Sequence, residues 1–157
     1  MKYTLTFILT LLFSNMFSQT FPTSNFKYTG PCSMARGVDS YDGKSNKVTS
    51  YECRSHIPES AIYRVIVIDY KVTIRDVATY YSSLKSQYAK QGKVSNSTVK
   101  GVQAVQVIEN VVIEGVSLRQ VSTAILYKNK SITLVLLTNS EKYSQLLQSF
   151  KNSISLI

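Results

Sequence analysis

Two stretches of this chain are apolar on both sides of an extended backbone, and they limit what it can fold into. Residues 61–70 carry Ile62, Tyr63, Val65, Ile66, Val67 and Ile68 in a β-branched and aromatic run, and residues 132–137 carry Ile132, Leu134, Val135, Leu136 and Leu137. Successive strand side chains point to opposite faces, so such segments belong inside a sheet covered on both sides. A cover for each face is therefore required.

Two helical stripes supply the candidates. In the segment 74–91, Ile74, Val77, Tyr81, Leu84 and Tyr88 recur at helical spacing; Thr73 is placed to cap it, with Asp76 in a capping box and Gly92 as a left-handed stop. After Ser140, which can cap, and Glu141 in the first turn, Tyr143, Leu146, Leu147, Phe150 and Ile154 form a second stripe. Further strands are expected at 25–28, 47–53, 101–108 and 116–127, with Lys128-Asn129-Lys130-Ser131 as a tight connection. The expected fold is α+β: an antiparallel sheet of about six strands with a helix on each face, an α/β/α sandwich of order βββαβββα.

The first residues stand outside that pattern. Met1 and Lys2 form a short positive start, residues 5–13 are mostly apolar, and Ser14 and Asn15 turn polar. This layout predicts a secretory signal peptide over 1–18, cut between Ser18 and Gln19, and a single domain over 19–157. The apolar run is about half of the ~20 residues a membrane-spanning helix needs, so no transmembrane segment is expected after signal removal. The expected location is the periplasm or the exterior, with the host unnamed by the sequence.

Export bears on the two cysteines, Cys32 and Cys53. An oxidising compartment favours a bridge between them, and a loop of about twenty residues gives on the order of 3 kcal/mol from chain entropy. Two free thiols or a redox pair are the alternatives, the latter without CxxC spacing.

The element order, the 63–70 strand running into the 74–91 helix, the hairpin around Asn129, and the closing helix with Phe150 set against Ile154 resemble the PsbP/Mog1-like group of α/β/α sandwiches. That group includes photosystem-associated subunits, binders of small GTPases and exported bacterial proteins. The resemblance implies a scaffold used more for binding than for catalysis, and it brings no catalytic residue to carry over.

The inventory of reactive groups is thin. His56 is the only histidine; with Cys53 and Glu59 it spells Cys-x-x-His-x-x-Glu, short of the four ligands of a structural zinc site. The sequence has no Gly-x-Ser-x-Gly elbow and no Walker or dinucleotide glycine loop. No metal or cofactor is expected. The enzyme reading is a small envelope enzyme with a site in the 39–59 loops, where Asp39, Asp42, Glu52, His56 and Glu59 gather; His56, Glu59 and Glu52 are its candidate catalytic residues.

Charge is more informative. The chain carries a formal +9, reduced by one when Lys2 leaves with the leader, and no acid lies between Asp76 and Glu109 or between Glu114 and Glu141. Lys85, Lys90, Lys93, Lys100, Arg119, Lys128 and Lys130 populate those gaps and are the candidate basic surface. It would merge into one patch if the Asn129 tip and the loop after Gly92 share an edge. The expected function is a non-enzymatic binding or accessory protein that meets an acidic protein or an anionic envelope surface by long-range attraction. Nucleic acid is not expected as a partner, because export removes it and Tyr80, Tyr81 and Tyr88 are committed to the helix and core. Asn96 and Asn129 match the glycosylation pattern in expected turns and are read as plain turn residues.

Overall fold

A computed structural model describes residues 16–56 and 59–157; most of the expected signal segment, residues 1–15, lies outside the described residues. The two doubly apolar segments are β6 (Ala61–Asp69) and β10 (Lys130–Thr138), and they pair with each other antiparallel, from Lys130 opposite Asp69 to Thr138 opposite Ala61. Around them the chain builds β1 (Phe17–Phe21), β2 (Phe26–Gly30), β3 (Ala35–Arg36), β4 (Ser40–Tyr41) and β5 (Lys47–Ser55) before β6. After it come α1 (Val77–Tyr88), β7 (Lys93–Val99), β8 (Val102–Ile113), β9 (Val116–Tyr127), β10, α2 (Tyr143–Ser153) and β11 (Ile154–Leu156).

The fold is α+β with antiparallel sheets and two helices, but the strand count differs from expectation. One sheet has eight strands, in the order β3-β5-β6-β10-β9-β8-β7 with β4 also on β5, and a second has three, β1-β2-β11. The additional strands escaped the sequence reading for physical reasons. β3 and β4 are two residues each, and β7 is a polar edge strand whose Ser95, Asn96 and Thr98 are exposed, so its sequence reads as loop.

Three hairpins join β7 through β10, each closed by two residues with positive φ: Lys100-Gly101, Glu114-Gly115 and Lys128-Asn129. That backbone twist matches the right-handed twist of the strands it joins. Asn129 does more than turn. Its side-chain carbonyl accepts the Ile74 N–H at 2.7 Å and its amide donates to the carbonyls of Tyr70, at 2.9 Å, and Val72. The hairpin tip thereby holds the connection between β6 and α1.

The register places Tyr63, Leu136, Val121 and Ile108 in one row across four strands, all on one face. On that face sit α2 and the small sheet: the Phe150 ring lies 5.1 Å from Tyr63 and 6.4 Å from Tyr28, and Phe26 packs edge-on against Tyr51. Leu146, Leu147 and Ile154 are buried with them. Ser140 caps less directly than expected, accepting from the Lys142 N–H outside the helix.

On the other face lies α1, whose Tyr80 hydroxyl donates to Ser131 at 2.8 Å. The helix starts later than expected. Asp76, not Thr73, is its N-cap, accepting from the Thr79 N–H at 2.9 Å. Nor is the expected stripe uniformly buried: Tyr81 is buried, Leu84 and Tyr88 are half-buried, and Val77 is exposed. The helix packs on β8 and β7 rather than over β6, so Ile62, Ile66 and Ile68 are only half-covered. Gly92 also acts otherwise than as a left-handed stop, because a Cβ there would lie 2.2 Å from the Ile108 carbonyl oxygen. Its role is close backbone approach to β8.

Tyr81 ties α1 to the sheet. Pairing of β8 with β9 begins at Ala104 opposite Ile125, and in the next position the Tyr81 hydroxyl donates to the Gln103 carbonyl while accepting from the Leu126 N–H at 3.0 Å. A side chain thus replaces a missing rung of the ladder. Tyr81→Phe should cost about 1–3 kcal/mol by leaving both backbone groups unpaired, whereas exposed Ser82→Ala should stay within about 0.5 kcal/mol; denaturant midpoints compare the two.

Cys32 and Cys53 form a disulfide, with Cα atoms 5.8 Å apart across 21 residues of sequence. It anchors the connection after β2 to β5 within the core. Replacing both cysteines by serine should lower unfolding free energy by about 3 kcal/mol, the loop-closure contribution for this length; equal midpoints for the two proteins would remove that role.

Candidate functional site

Adjacent strands bring charged side chains together where sequence separates them. Lys47 on β5 stands opposite Asp69 on β6, and Asp69 opposite Lys130 on β10, so three charges form one row at an end of the core face. The next row on that face holds Thr49 and Val67. Above them the 3-10 turn Pro22–Ser24 contributes Thr23 and Ser24, and β3 contributes Arg36. These residues line a cavity of about 360 Å³.

Its electrostatics are organised by two carboxylates. Asp39 takes both oxygens of its carboxylate to Arg36, at 2.8 and 2.7 Å, and also receives Lys47 at 2.8 Å and the Thr49 hydroxyl at 2.9 Å. Asp69 receives Lys130. The Lys47 and Thr49 hydrogen bonds hold the Asp39 carboxyl below the usual carboxylate range, and the same contact raises the Lys47 ammonium. The Lys130 side chain is only 12% exposed, so its charge is directed inward along the cavity wall. Arg36 and Lys47 drew no notice in the sequence because nothing short of strand register places them beside Lys130.

The candidate basic residues do not gather into one patch. Lys93 lies opposite Ile108, and that row continues through Val121 to Leu136, six residues along β10 from Lys130. At about 3.3 Å per residue, the Asn129 tip and the start of β7 are separated by roughly 20 Å. Lys100 shares the tip end, donating to the Asn152 carbonyl at 3.0 Å, and Lys128 lies over the Tyr127 ring. Arg119 lies over the Tyr143 ring at 4.2 Å and lines a smaller cavity, about 230 Å³, near Glu141. Lys85, Lys90 and Lys93 follow one another through the end of α1 into β7, and none of them forms an ion pair among the described residues.

The alternative catalytic residues each have other partners. Cys53 is bonded to Cys32; His56 is exposed, with its Nδ1 3.1 Å from the Ser60 hydroxyl; and Glu59 pairs with Lys142 at 3.0 Å. Glu52 accepts from Arg64 Nε at 2.9 Å. Burial pushes Glu52 up, but the hydrogen bonds and charges of Arg64 and Arg54 outweigh it and leave the carboxyl below its ordinary value. Neither cavity is lined by His56, Glu52 or Glu59. Asp42 is spent on the loop, accepting from the backbone of Lys44 and Asn46. Among the described residues no three His, Cys, Asp or Glu side chains cluster as a metal site would require.

No family model matches the chain, and no curated protein does. Among solved structures it is similar to cyanobacterial PsbP (CyanoP) from Synechocystis sp. PCC 6803, with a TM-score of 0.54 and 13% identity over 94% of this chain and 96% of that one. The fold is PsbP-like. The chain also matches a Pseudomonas aeruginosa protein of unknown function described as a putative regulator, with a TM-score of 0.47 and 15% identity over 87% and 92% of the two chains. The PsbP half of the expected resemblance is thereby shown at the level of fold; the Mog1 half is not.

Asp39 yields a pH test. Its folded pKa is depressed, so the stabilisation it provides is present above the ordinary aspartate value of about 3.9 and is lost as pH falls through the folded value. Carboxyl NMR titration should place its midpoint below about 3.9, and Lys47→Ala should return it toward that value.

Proposed function

We propose that this chain is an exported accessory protein that works by binding, and that an acidic protein meets it at the corner where α1 passes into β7. The observation that carries this reading is the charge at that corner: Lys90 and Lys93 are exposed and unpaired among the described residues, Lys85 lies one turn before them, and no acid occurs in sequence from Asp76 to Glu109. Elsewhere the carboxylates of Asp39, Glu52, Glu59 and Asp69 are occupied by cations of the chain itself. Lys27, Lys44, Lys71 and Arg75 are also exposed and without an ion pair among the described residues, but Lys85, Lys90 and Lys93 follow one another along one stretch without an acid, where they can steer a partner.

A leader over 1–18, whose removal would shorten β1 by Phe17 and Ser18, and a periplasmic or extracellular site of action belong to the same proposal, supported by the buried disulfide, which persists in oxidising compartments. No described helix is long and apolar enough to cross a membrane. The PsbP-like fold agrees with an accessory role. The enzyme reading is the weaker one because neither cavity described above is lined by His56, Glu52 or Glu59.

Retention of host proteins on the immobilised chain tests the electrostatic mechanism. An acidic partner should be held at about 50 mM salt and released at about 500 mM, where screening is short-ranged. Lys90→Glu with Lys93→Glu should abolish retention while circular dichroism stays unchanged. Retention that ignores both salt and the double substitution would discard this surface, and capture by anionic vesicles alone would transfer the role to a membrane.

A further inference from the structure

The cavity at the end of the core face has features that docking of an acidic protein at the α1–β7 corner does not use. Arg36, Lys47 and Lys130 approach it from three strands, and Asp39 and Asp69 are the carboxylates that hold them. Three cations against two carboxylates leave an excess of one positive charge. The floor is fixed, with Val67 and Thr49 almost fully buried, and Ser24 is anchored by a 2.7 Å hydrogen bond between its hydroxyl and that of Tyr51. A volume of about 360 Å³ falls at the small end of ligand sites.

We propose that this cavity is a binding site for a small oxyanion, a phosphate- or carboxylate-bearing molecule, gripped by Arg36, Lys47 and Lys130. Asp39 already shows the mode of recognition. Its carboxylate lies against the Arg36 guanidinium and the Lys47 ammonium together, the arrangement an entering oxyanion would adopt. Asp39 is thus a built-in competitor that preorganises the two cations and is displaced, or joined, by the ligand. Lys130, nearly enclosed, supplies the third charge from the opposite wall. The Thr49 hydroxyl, now donating to Asp39, is free to donate to the ligand once Asp39 swings away.

This assignment makes an uncommon demand: removing a negative charge must strengthen binding, and removing either flanking cation must weaken it. The full chain is titrated with inorganic phosphate and, separately, with succinate at constant ionic strength, following backbone amide shifts by NMR. Saturable shifts at Ser24, Thr49, Val67 and Asp69 are expected with at least one of the two, and the tighter binder identifies the ligand chemistry. Asp39→Asn should tighten that binder several-fold, and Arg36→Ala or Lys47→Ala should weaken it by about tenfold, the loss of one charge-assisted contact. Arg36 and Lys47 are half-exposed, so both variants should keep the wild-type amide spectrum outside the cavity. Shifts that grow linearly with both anions, or an Asp39→Asn variant that binds more weakly than wild type, would overturn the site.

Discussion

The pairing of β6 with β10 is the constraint on which everything else rests. Nine register pairs, from Lys130 opposite Asp69 to Thr138 opposite Ala61, bind two strands whose side chains are apolar on both faces. Because β10 takes the place beside β6, the chain leaving β6 must cross to the far side of the sheet before it can return. The helix α1 makes that crossing, β7 begins the return, and β8 and β9 fill the gap. The cavity is a product of the same pairing, since it is this register that sets Asp69 between Lys47 and Lys130.

What could be read in advance was what depends on apolar pattern. β6, β9 and β10, the two helices, and the buried residues Leu146, Leu147 and Phe150 all announce themselves by periodicity, and Cys32 and Cys53 by their number and compartment. Elements too short or too polar to carry an apolar pattern, such as β3, β4 and β7, leave no such trace. Local choices among equivalent groups were also hidden. Thr73 and Asp76 are both good caps, and only the path of the crossing selects Asp76. The site was the least legible part, because Arg36, Lys47, Asp69 and Lys130 meet across strands and no sequence window holds them together.

Electrostatics divides the molecule. Asp39, Glu52, Asp69 and Glu59 fasten Arg36, Lys47, Arg64, Lys130 and Lys142 to particular places, mostly at the surface. The cations left over are not equivalent to one another. Lys100 ends up against the Asn152 carbonyl of α2 and Arg119 on an aromatic ring, so both are engaged in holding the fold, while Lys90 and Lys93, like Lys27, Lys44, Lys71 and Arg75, form no ion pair among the described residues. A count of basic residues hides this distinction, and a contact map of each one reveals it.

The three two-residue turns between β7 and β10 bear on how quickly different parts of the molecule assemble. Each hairpin of that meander closes between near neighbours, on a timescale of about microseconds, whereas the nearest partners in the β6–β10 pairing are 61 residues apart. Long-range closure of this kind is the slow step in sheet proteins. The meander is thus expected to exist as a preformed template against which β6 docks late. Asn129, which grips the carbonyl groups of Tyr70 and Val72 from the tip of the last hairpin, is positioned to catch the end of the arriving strand.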